Sequence, residues 1–301
     1  MIIGHDLAYS NLETALENGS HHGFLLSGPK GVGKALLAQR LALSALAKAS
    51  PFPAKMVKQQ CEAGAYPNYF YITQLSDDDG KLKNDISVEQ IRTLLNSLKQ
   101  KAAIAGPRII IIDSVDKLNR QAANSLLKML EEPPLNTFFL GICHTIGSIL
   151  PTIRSRCLTV NLKPLSDSDM ATVINQKGLN VEHDILQLSM GSPGNYLKIL
   201  QAGGSQTLSA LQRLIIQTNL SDLKTAIHEL LKNTDDSFLG HLLHQFLYQK
   251  ALQEPETFAH SAQSVERFLR YSDNTHLDGA HRLQAAILLA QNPEQERLVY
   301  G

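Results

Sequence analysis

The sequence predicts a three-layer α/β domain with a parallel sheet, followed by a region made only of helices. Three observations predict it. Apolar runs of strand length alternate with helix-like segments up to residue 163, a glycine-rich loop joins the first run to a helix, and strand character ends at Pro164. Such alternation is typical of a parallel sheet covered by helices on both faces.

The stretch 109–134 carries the clearest pattern and reads IIIIDSVDKLNRQAANSLLKMLEEPP. Four consecutive isoleucines indicate a strand buried on both faces. Asp113 follows where this strand ends, which is where open α/β sheets bind their ligands. Asn119 is a candidate N-cap for the next helix, and Pro133 and Pro134 end that helix.

The elements before this stretch alternate in the same way. We expect a helix within 2–18, a strand at 24–26, a helix over 35–49, a loop or small insertion over 50–68, a strand at 69–72, a polar loop over 76–85, and a helix that begins after Ser87. Ser87 and Gln90 have the spacing of a capping box, in which each residue bonds to the other's backbone.

The elements after it complete the sheet and then change character. Strands are predicted at 137–143 and 158–162, with the segment LPTIRSRC at 150–157 between them. Short helices follow over 166–176, 183–190 and 193–201. Residues 203–205 (GGS) are a hinge candidate, and 207–289 have helical period with polar breaks.

Composition restricts the class of protein. Lys and Arg total 28, as do Asp and Glu, so the formal net charge is zero and gives no support for strong autonomous binding to DNA. The three cysteines are scattered, so we expect neither a disulfide framework nor a cysteine-built zinc site. No signal peptide or membrane-spanning run is visible, and a cytoplasmic location is the expectation.

The glycine-rich loop GPKGVGKA spans 28–35 and matches most of a P-loop. In the pattern G-x-x-x-x-G-K-S/T, backbone N–H groups surround the phosphates, the lysine reaches the outer phosphates, and the hydroxyl binds Mg²⁺. Gly28, Gly31, Gly33 and Lys34 provide the loop and its cation, but Ala35 has no oxygen for a metal. ATP, ADP or phosphate could occupy this degenerate site; an ordinary turn is the alternative.

Hydrolysis requires a group that positions or deprotonates water, usually a carboxylate beside the metal-binding Asp. Ser114 occupies that position and is a poor base. Asp116 is predicted to begin the helix, where an acid suits the helix dipole. The site is therefore expected to hydrolyse ATP poorly or not at all.

At this point the motifs together resemble a known family. GHDLAYSNLETALENG, HGFLLSGPKGVGKALLA, the stretch 109–134 and LPTIRSRC look like the delta-prime family of clamp-loader subunits of bacterial DNA polymerase III. The resemblance covers residues 1 to about 203, and LLKMLEEPP and SRC are its specific parts. It implies an AAA+ P-loop domain over 1–163, a small helical lid over 164–203 and a helical collar over 204–301.

The resemblance also implies roles for individual residues. Arg156 of the SRC motif would be an arginine finger that reaches the ATP of a neighbouring subunit; a surface arginine is the alternative, and Arg154 is a second candidate. Thr145 falls where AAA+ proteins sense the γ-phosphate, or is a strand-end hydroxyl bonded to backbone. Asn195 stands where active relatives carry a phosphate-sensing arginine. Only Cys61 lies where many relatives hold a four-cysteine zinc module, so no zinc is expected.

These features lead to one expected function and two rivals. The first is a stator of a heteropentameric clamp loader with gamma/tau and delta subunits, which meets the sliding clamp and primer-template DNA through the complex and does not hydrolyse ATP. The second is an active ATPase subunit of the gamma/tau kind, in which Asp116 or a partner residue replaces the missing acid. The third is a module that grips DNA directly, which would require salt-dependent affinity.

Overall fold

The computed structural model describes residues 2–77, 83, 85–216, 220–232, 234–272 and 277–295. The chain divides into two compact units, Met1–Val173 and Ile174–Gly301. The predicted polar loop over 76–85 falls mostly outside the described residues, at 78–82 and 84. The division into domains at 163 and 203 stays a prediction.

The first unit contains a parallel sheet of five strands in the order β2-β3-β4-β1-β5. The strands are β1 (Gly23–Ser27), β2 (Tyr69–Thr73), β3 (Arg108–Asp113), β4 (Thr137–Ile142) and β5 (Leu158–Asn161). The helices are α1 (Asp6–Glu17), α2 (Lys34–Ala49), α3 (Ala54–Glu62), α4 (Val88–Lys99), α5 (Arg120–Glu131), α6 (Pro151–Arg154) and α7 (Asp167–Gln176), the last of which contains the boundary between the units. The predicted α/β class is confirmed.

The isoleucine run of β3 is buried on both faces, as its lack of alternation predicted. Ile110 and Ile112 belong to a core formed with α4 and α5. Ile109 and Ile111 are fully buried as well, and alternation places them on the other face, where α2 contacts β1, β3 and β4. Helices on both faces therefore form the outer layers of a three-layer domain.

Two predicted caps are confirmed, and they fix where the helices α4 and α5 begin. The hydroxyl of Ser87 accepts a hydrogen bond from the backbone N–H of Gln90, whose side chain accepts one from the N–H of Ser87. Oδ1 of Asn119 accepts a bond of 2.9 Å from the N–H of Ala122. Each side chain satisfies a backbone donor that the first helical turn leaves unpaired.

Two sequence expectations were wrong in this unit. The stretch 50–68 contains the helix α3, which begins directly after Pro53, where a missing N–H costs nothing. Asp116 does not begin α5; it lies in the short 3₁₀ helix Val115–Lys117, ahead of the true N-cap at Asn119.

The second unit is helical in the part of the chain that the structure describes. Its helices are α8 (His183–Leu188), α9 (Pro193–Gln201), α10 (Ser205–Ile216), α11 (Leu220–Leu231), α12 (Asp236–Gln253), α13 (Pro255–Ser272) and α14 (Gly279–Gln291). Among the helices described, none has the length and apolar character needed to cross a membrane.

Candidate nucleotide site and the SRC turn

The P-loop connects the end of β1 to the start of α2, as the sequence predicted. Gly28, Gly31 and Gly33 all have positive φ values, of 142°, 80° and 110°, which glycine adopts without strain. A Cβ on Gly28 would also collide with the carbonyl oxygen of Leu162. The loop therefore has the tight, left-handed backbone on which phosphate binding by N–H groups depends.

Lys34 is the first residue of α2 and its side chain is turned back onto the loop. Its Nζ donates hydrogen bonds to the carbonyl oxygens of Gly28 (2.6 Å) and Pro29 (2.7 Å). Burial lowers the pKa of Lys34, and the nearby carboxylates of Asp113 and Asp116 act in the opposite direction. The cation expected to face a phosphate is thus bonded to the loop itself.

His5 supports the same loop from outside the motif. Its Nε2 donates a hydrogen bond of 3.0 Å to the carbonyl oxygen of Val32, and the histidine is buried. Sequence reasoning did not select His5, because no spacing rule relates it to a loop 27 positions away.

Asp113 ends β3 on the same edge of the sheet, because parallel strands place their carboxyl ends together. Its Oδ2 accepts a hydrogen bond of 2.9 Å from the hydroxyl of Tyr71 on β2. The hydroxyl of Ser114 lies 3.4 Å from Oδ1. Burial and the Asp113 carboxylate raise the pKa of Tyr71, so the phenol remains a proton donor at neutral pH.

Two further candidates follow β3 and β4. Oδ1 of Asp116 accepts a hydrogen bond of 3.4 Å from the backbone N–H of His144, and so joins the ends of the two strands. Thr145 is exposed, and its carbonyl oxygen accepts bonds from the N–H and the hydroxyl of Ser148. Burial lowers the pKa of His144, with a further contribution from Lys34.

The residues present fit a phosphate better than they fit a metal. The glycine backbone and Lys34 are the groups that hold phosphate oxygens. Ala35 offers no oxygen to Mg²⁺, and a tyrosine hydroxyl donates to the carboxylate of Asp113 that would face the metal. The glycines and the lysine of the P-loop pattern are therefore present, and the hydroxyl that binds Mg²⁺ in that pattern is absent. We call these groups the phosphate half and the metal half of the site.

A second feature of this unit is the SRC turn, Ser155–Cys157, which follows α6 and leads into β5. Arg156 is exposed. Its Nη1 donates to the carbonyl oxygen of Thr152 (3.0 Å), and its Nη2 forms an ion pair with Oε1 of Glu131 at 2.8 Å. Burial raises the pKa of the Cys157 thiol to about 12, so this side chain anchors the turn as a neutral group.

The remaining candidates lie on three helices. Arg154 is the exposed last residue of α6. Asn195 lies in the first turn of α9, where its N–H donates to the hydroxyl of Ser192 over 3.3 Å. Cys61 is buried on α3. Across the described ranges, His, Cys, Asp and Glu side chains form no group of three that could hold a metal ion.

The parallel sheet, the glycine loop after β1 and the acid after β3 define a P-loop domain of the AAA+ type. A solved structure agrees: a DNA polymerase III gamma-subunit-related protein from Thermotoga maritima has a TM-score of 0.55 at 15% identity, with 96% of this chain and 99% of that chain covered. The sequence model of the DNA polymerase III delta subunit family matches residues 4–166, more than half of the chain. The chain belongs to that family.

Curated relatives of two kinds match this chain. A DNA polymerase III subunit delta' from Pseudomonas aeruginosa is 33% identical over 181 residues, which cover 57% of this chain and 53% of the relative. A DNA polymerase III subunit gamma from Buchnera aphidicola is 30% identical over 193 residues, which cover 60% of this chain and 51% of the relative. The chain spans about half the length of the curated relatives it matches.

Proposed function

We propose that this chain is a delta-prime-like subunit of a DNA polymerase III clamp loader. In this role it is a structural stator that does not hydrolyse ATP and that donates Arg156 to the ATP site of a neighbouring subunit. It would work in the cytoplasm, in a heteropentamer with gamma/tau and delta subunits. Contact with the sliding clamp and primer-template DNA would be made by the whole complex.

The observation that carries the proposal is the loss of the metal half of the nucleotide site. Mg²⁺ neutralises charge on the transferring phosphoryl group, and hydrolysis is slow without it. Here Ala35 lacks the hydroxyl, Tyr71 donates to Asp113, and Ser114 stands in place of an acid. ATP, ADP or phosphate could still bind through the glycine backbone and Lys34, without turnover.

The second support is Arg156, whose guanidinium lies on an exposed turn. An arginine donated by one subunit to another stabilises transition-state charge and is worth roughly 10³ to 10⁵ in rate at its own site. Such a residue must lie on the surface and carry a planar, permanently charged group. Arg156 has both properties, with 35% of its side chain exposed.

An active ATPase of the gamma/tau kind is the competing function, and the similarity to a gamma subunit favours it. It requires another group to position or deprotonate the attacking water in place of the missing acid. Asp116 is engaged with the backbone of His144, which makes it a weak candidate. Metal-dependent nucleotide affinity of the isolated chain would support this competitor.

The test is DNA-stimulated ATP hydrolysis, measured for the chain alone and for the clamp loader reconstituted with delta and gamma/tau subunits. We expect no turnover by the chain alone and a clear loss of turnover in the loader with Arg156→Ala. The loss in total turnover should be smaller than the roughly 10³ to 10⁵ at the one affected site, because the other subunits keep their own fingers. Arg154→Ala, a neighbouring exposed arginine, is the matched control. Turnover by the isolated chain that Lys34→Ala abolishes would instead make this protein a motor.

A further inference from the structure

Glu131 and Arg156 come from two motifs that the sequence presents separately, LLKMLEEPP and SRC. In the fold they form an ion pair, with Nη2 of Arg156 2.8 Å from Oε1 of Glu131. We propose that Glu131 is the positioning residue for Arg156. The proposal rests on the proposed function, since it concerns how the finger is presented to the neighbouring subunit.

The guanidinium is held from two sides by its own chain. Nη1 donates to the carbonyl oxygen of Thr152 on α6, and Nη2 forms the ion pair with Glu131 at the end of α5. A guanidinium has five N–H donors in a fixed plane, and the bond to Thr152 uses one of them. The others lie on a side chain that is 35% exposed, and they remain for the oxygens of a phosphoryl group.

The backbones that carry the two charges are also packed together. A Cβ on Gly23, the first residue of β1, would lie 3.0 Å from Sγ of Cys157, 3.1 Å from the carbonyl oxygen of Arg156 and 3.3 Å from Cδ2 of Leu130. A Cβ at position 23 would require these neighbours to move by a few tenths of an ångström. The end of α5 and the SRC turn therefore meet at one point of the sheet, which fixes the separation of Glu131 and Arg156.

This arrangement has a chemical consequence for a finger. A long arginine side chain that is free in solution must lose rotamer freedom before it can reach a phosphate in the right orientation. The ion pair with Glu131 and the charge-assisted hydrogen bond to Thr152 restrict the side chain in advance. Removal of Glu131 should therefore lower turnover at the neighbouring site and leave assembly of the complex unchanged.

An exposed ion pair with no further role is the plain alternative, because such pairs contribute little to stability. A second alternative is a restraint that keeps Arg156 away from the neighbour. The three possibilities predict different changes in turnover when Glu131 is replaced. Positioning predicts that Glu131→Ala lowers turnover, an idle ion pair predicts no change, and a restraint predicts an increase.

The experiment compares reconstituted loaders that carry Glu131→Ala, Glu131→Gln, Arg156→Ala or the double variant Glu131→Ala/Arg156→Ala. Turnover is measured at saturating concentrations of this chain, and its affinity for the other subunits is measured separately. We expect Glu131→Ala to lower turnover, by less than Arg156→Ala does, because a misplaced group loses only part of its contribution. Glu131→Gln keeps the length of the side chain and an oxygen at its end, and should lose less turnover than Glu131→Ala. Glu132→Ala, at the adjacent exposed glutamate, is the control.

The double variant decides whether Glu131 acts through Arg156. If it does, Glu131→Ala has no further effect once Arg156 is absent. An equal loss in both backgrounds, or no loss with Glu131→Ala while Arg156→Ala is impaired, overturns the positioning role and leaves the finger intact. If Arg156→Ala leaves turnover unchanged, the proposed function itself is overturned, and the positioning role with it.

Discussion

The hydroxyl of Tyr71 donates a hydrogen bond of 2.9 Å to Oδ2 of Asp113, across neighbouring strands of the sheet. Thr73 is the register partner of Asp113, so Tyr71 lies two residues earlier on β2, and its long side chain spans that distance. One oxygen of the carboxylate at the end of β3 therefore already accepts a hydrogen bond from a side chain of the same protein. The same edge of the sheet carries Lys34, which is bonded to its own loop.

The first prediction concerns recovery of the metal half of the site. Tyr71→Phe removes the donor to Asp113, and Ala35→Thr supplies a hydroxyl at the position that binds Mg²⁺ in a P-loop. We expect the double variant to bind ADP more tightly with Mg²⁺ than with EDTA. The original chain should show no such difference. Isothermal titration calorimetry with Mg²⁺ and with EDTA measures the ADP affinity of the double variant and of the original chain. A clear effect of Mg²⁺ on the affinity of the original chain would contradict the prediction.

The second prediction concerns the backbone of the P-loop. Gly28→Ala should destabilise the fold by more than about 2 kcal/mol, because alanine is strained at a φ of 142° and its Cβ meets the carbonyl of Leu162. Gly147→Ala is the matched control, since a Cβ there has no neighbour within 4 Å among the described residues. Urea unfolding followed by circular dichroism distinguishes them. Equal midpoints for the two variants would show that the loop tolerates a side chain.

The third prediction concerns the start of α5, the helix that ends at Glu131. Asn119→Ala removes the acceptor for the N–H of Ala122 and the bond from Nδ2 to Asp85. We expect a loss of about 1 kcal/mol in the free energy of unfolding, the usual value for an N-cap. Gln121→Ala, an exposed position on the same first turn, should change it by less than about 0.5 kcal/mol. The comparison fails if both variants unfold at the same urea concentration.

The fourth prediction concerns alkaline pH. Burial raises the pKa of the Cys61 and Cys143 thiols from 9.0 to about 11. The folded state therefore holds these protons more tightly than the unfolded state. The resulting stability is complete below pH 9 and is lost as pH rises toward 11, at up to about 1.4 kcal/mol per pH unit for each thiol. Urea midpoints should be flat between pH 7 and pH 8 and should fall above pH 9.

A cysteine variant provides the control for this effect. Cys143→Ala removes one of the titrating groups, so its midpoint should fall less steeply between pH 9 and pH 10.5 than that of the original chain. An identical slope would assign the alkaline loss to other groups, such as Tyr69, whose pKa burial raises to about 12.

Some expectations failed for identifiable physical reasons. The helix α3 was missed because Pro51 and Pro53 mark a loop, although a proline just before a helix does not interrupt its bonding. Asp116 was assigned to the helix start by its charge alone. Its actual partner, the N–H of His144, lies 28 positions along the chain, and no local rule connects them.

The sequence by itself determined the strands, most helices, the glycine loop and both caps. These features depend on neighbours within a few positions: four isoleucines in a row, a hydroxyl three residues before an amide, and glycines where φ must be positive. The order of strands in the sheet brings the P-loop and Asp113 to one edge, and a parallel sheet makes that outcome predictable.

Only the tertiary structure decided which side chains occupy that edge and how Arg156 is held. Tyr71 reaches Asp113 over 42 positions, and His5 reaches the P-loop over 27. Glu131 and Arg156 meet where the end of α5 and the SRC turn pack beside Gly23 of β1. Such contacts depend on the packing of distant segments, and periodicity and spacing carry no information about them.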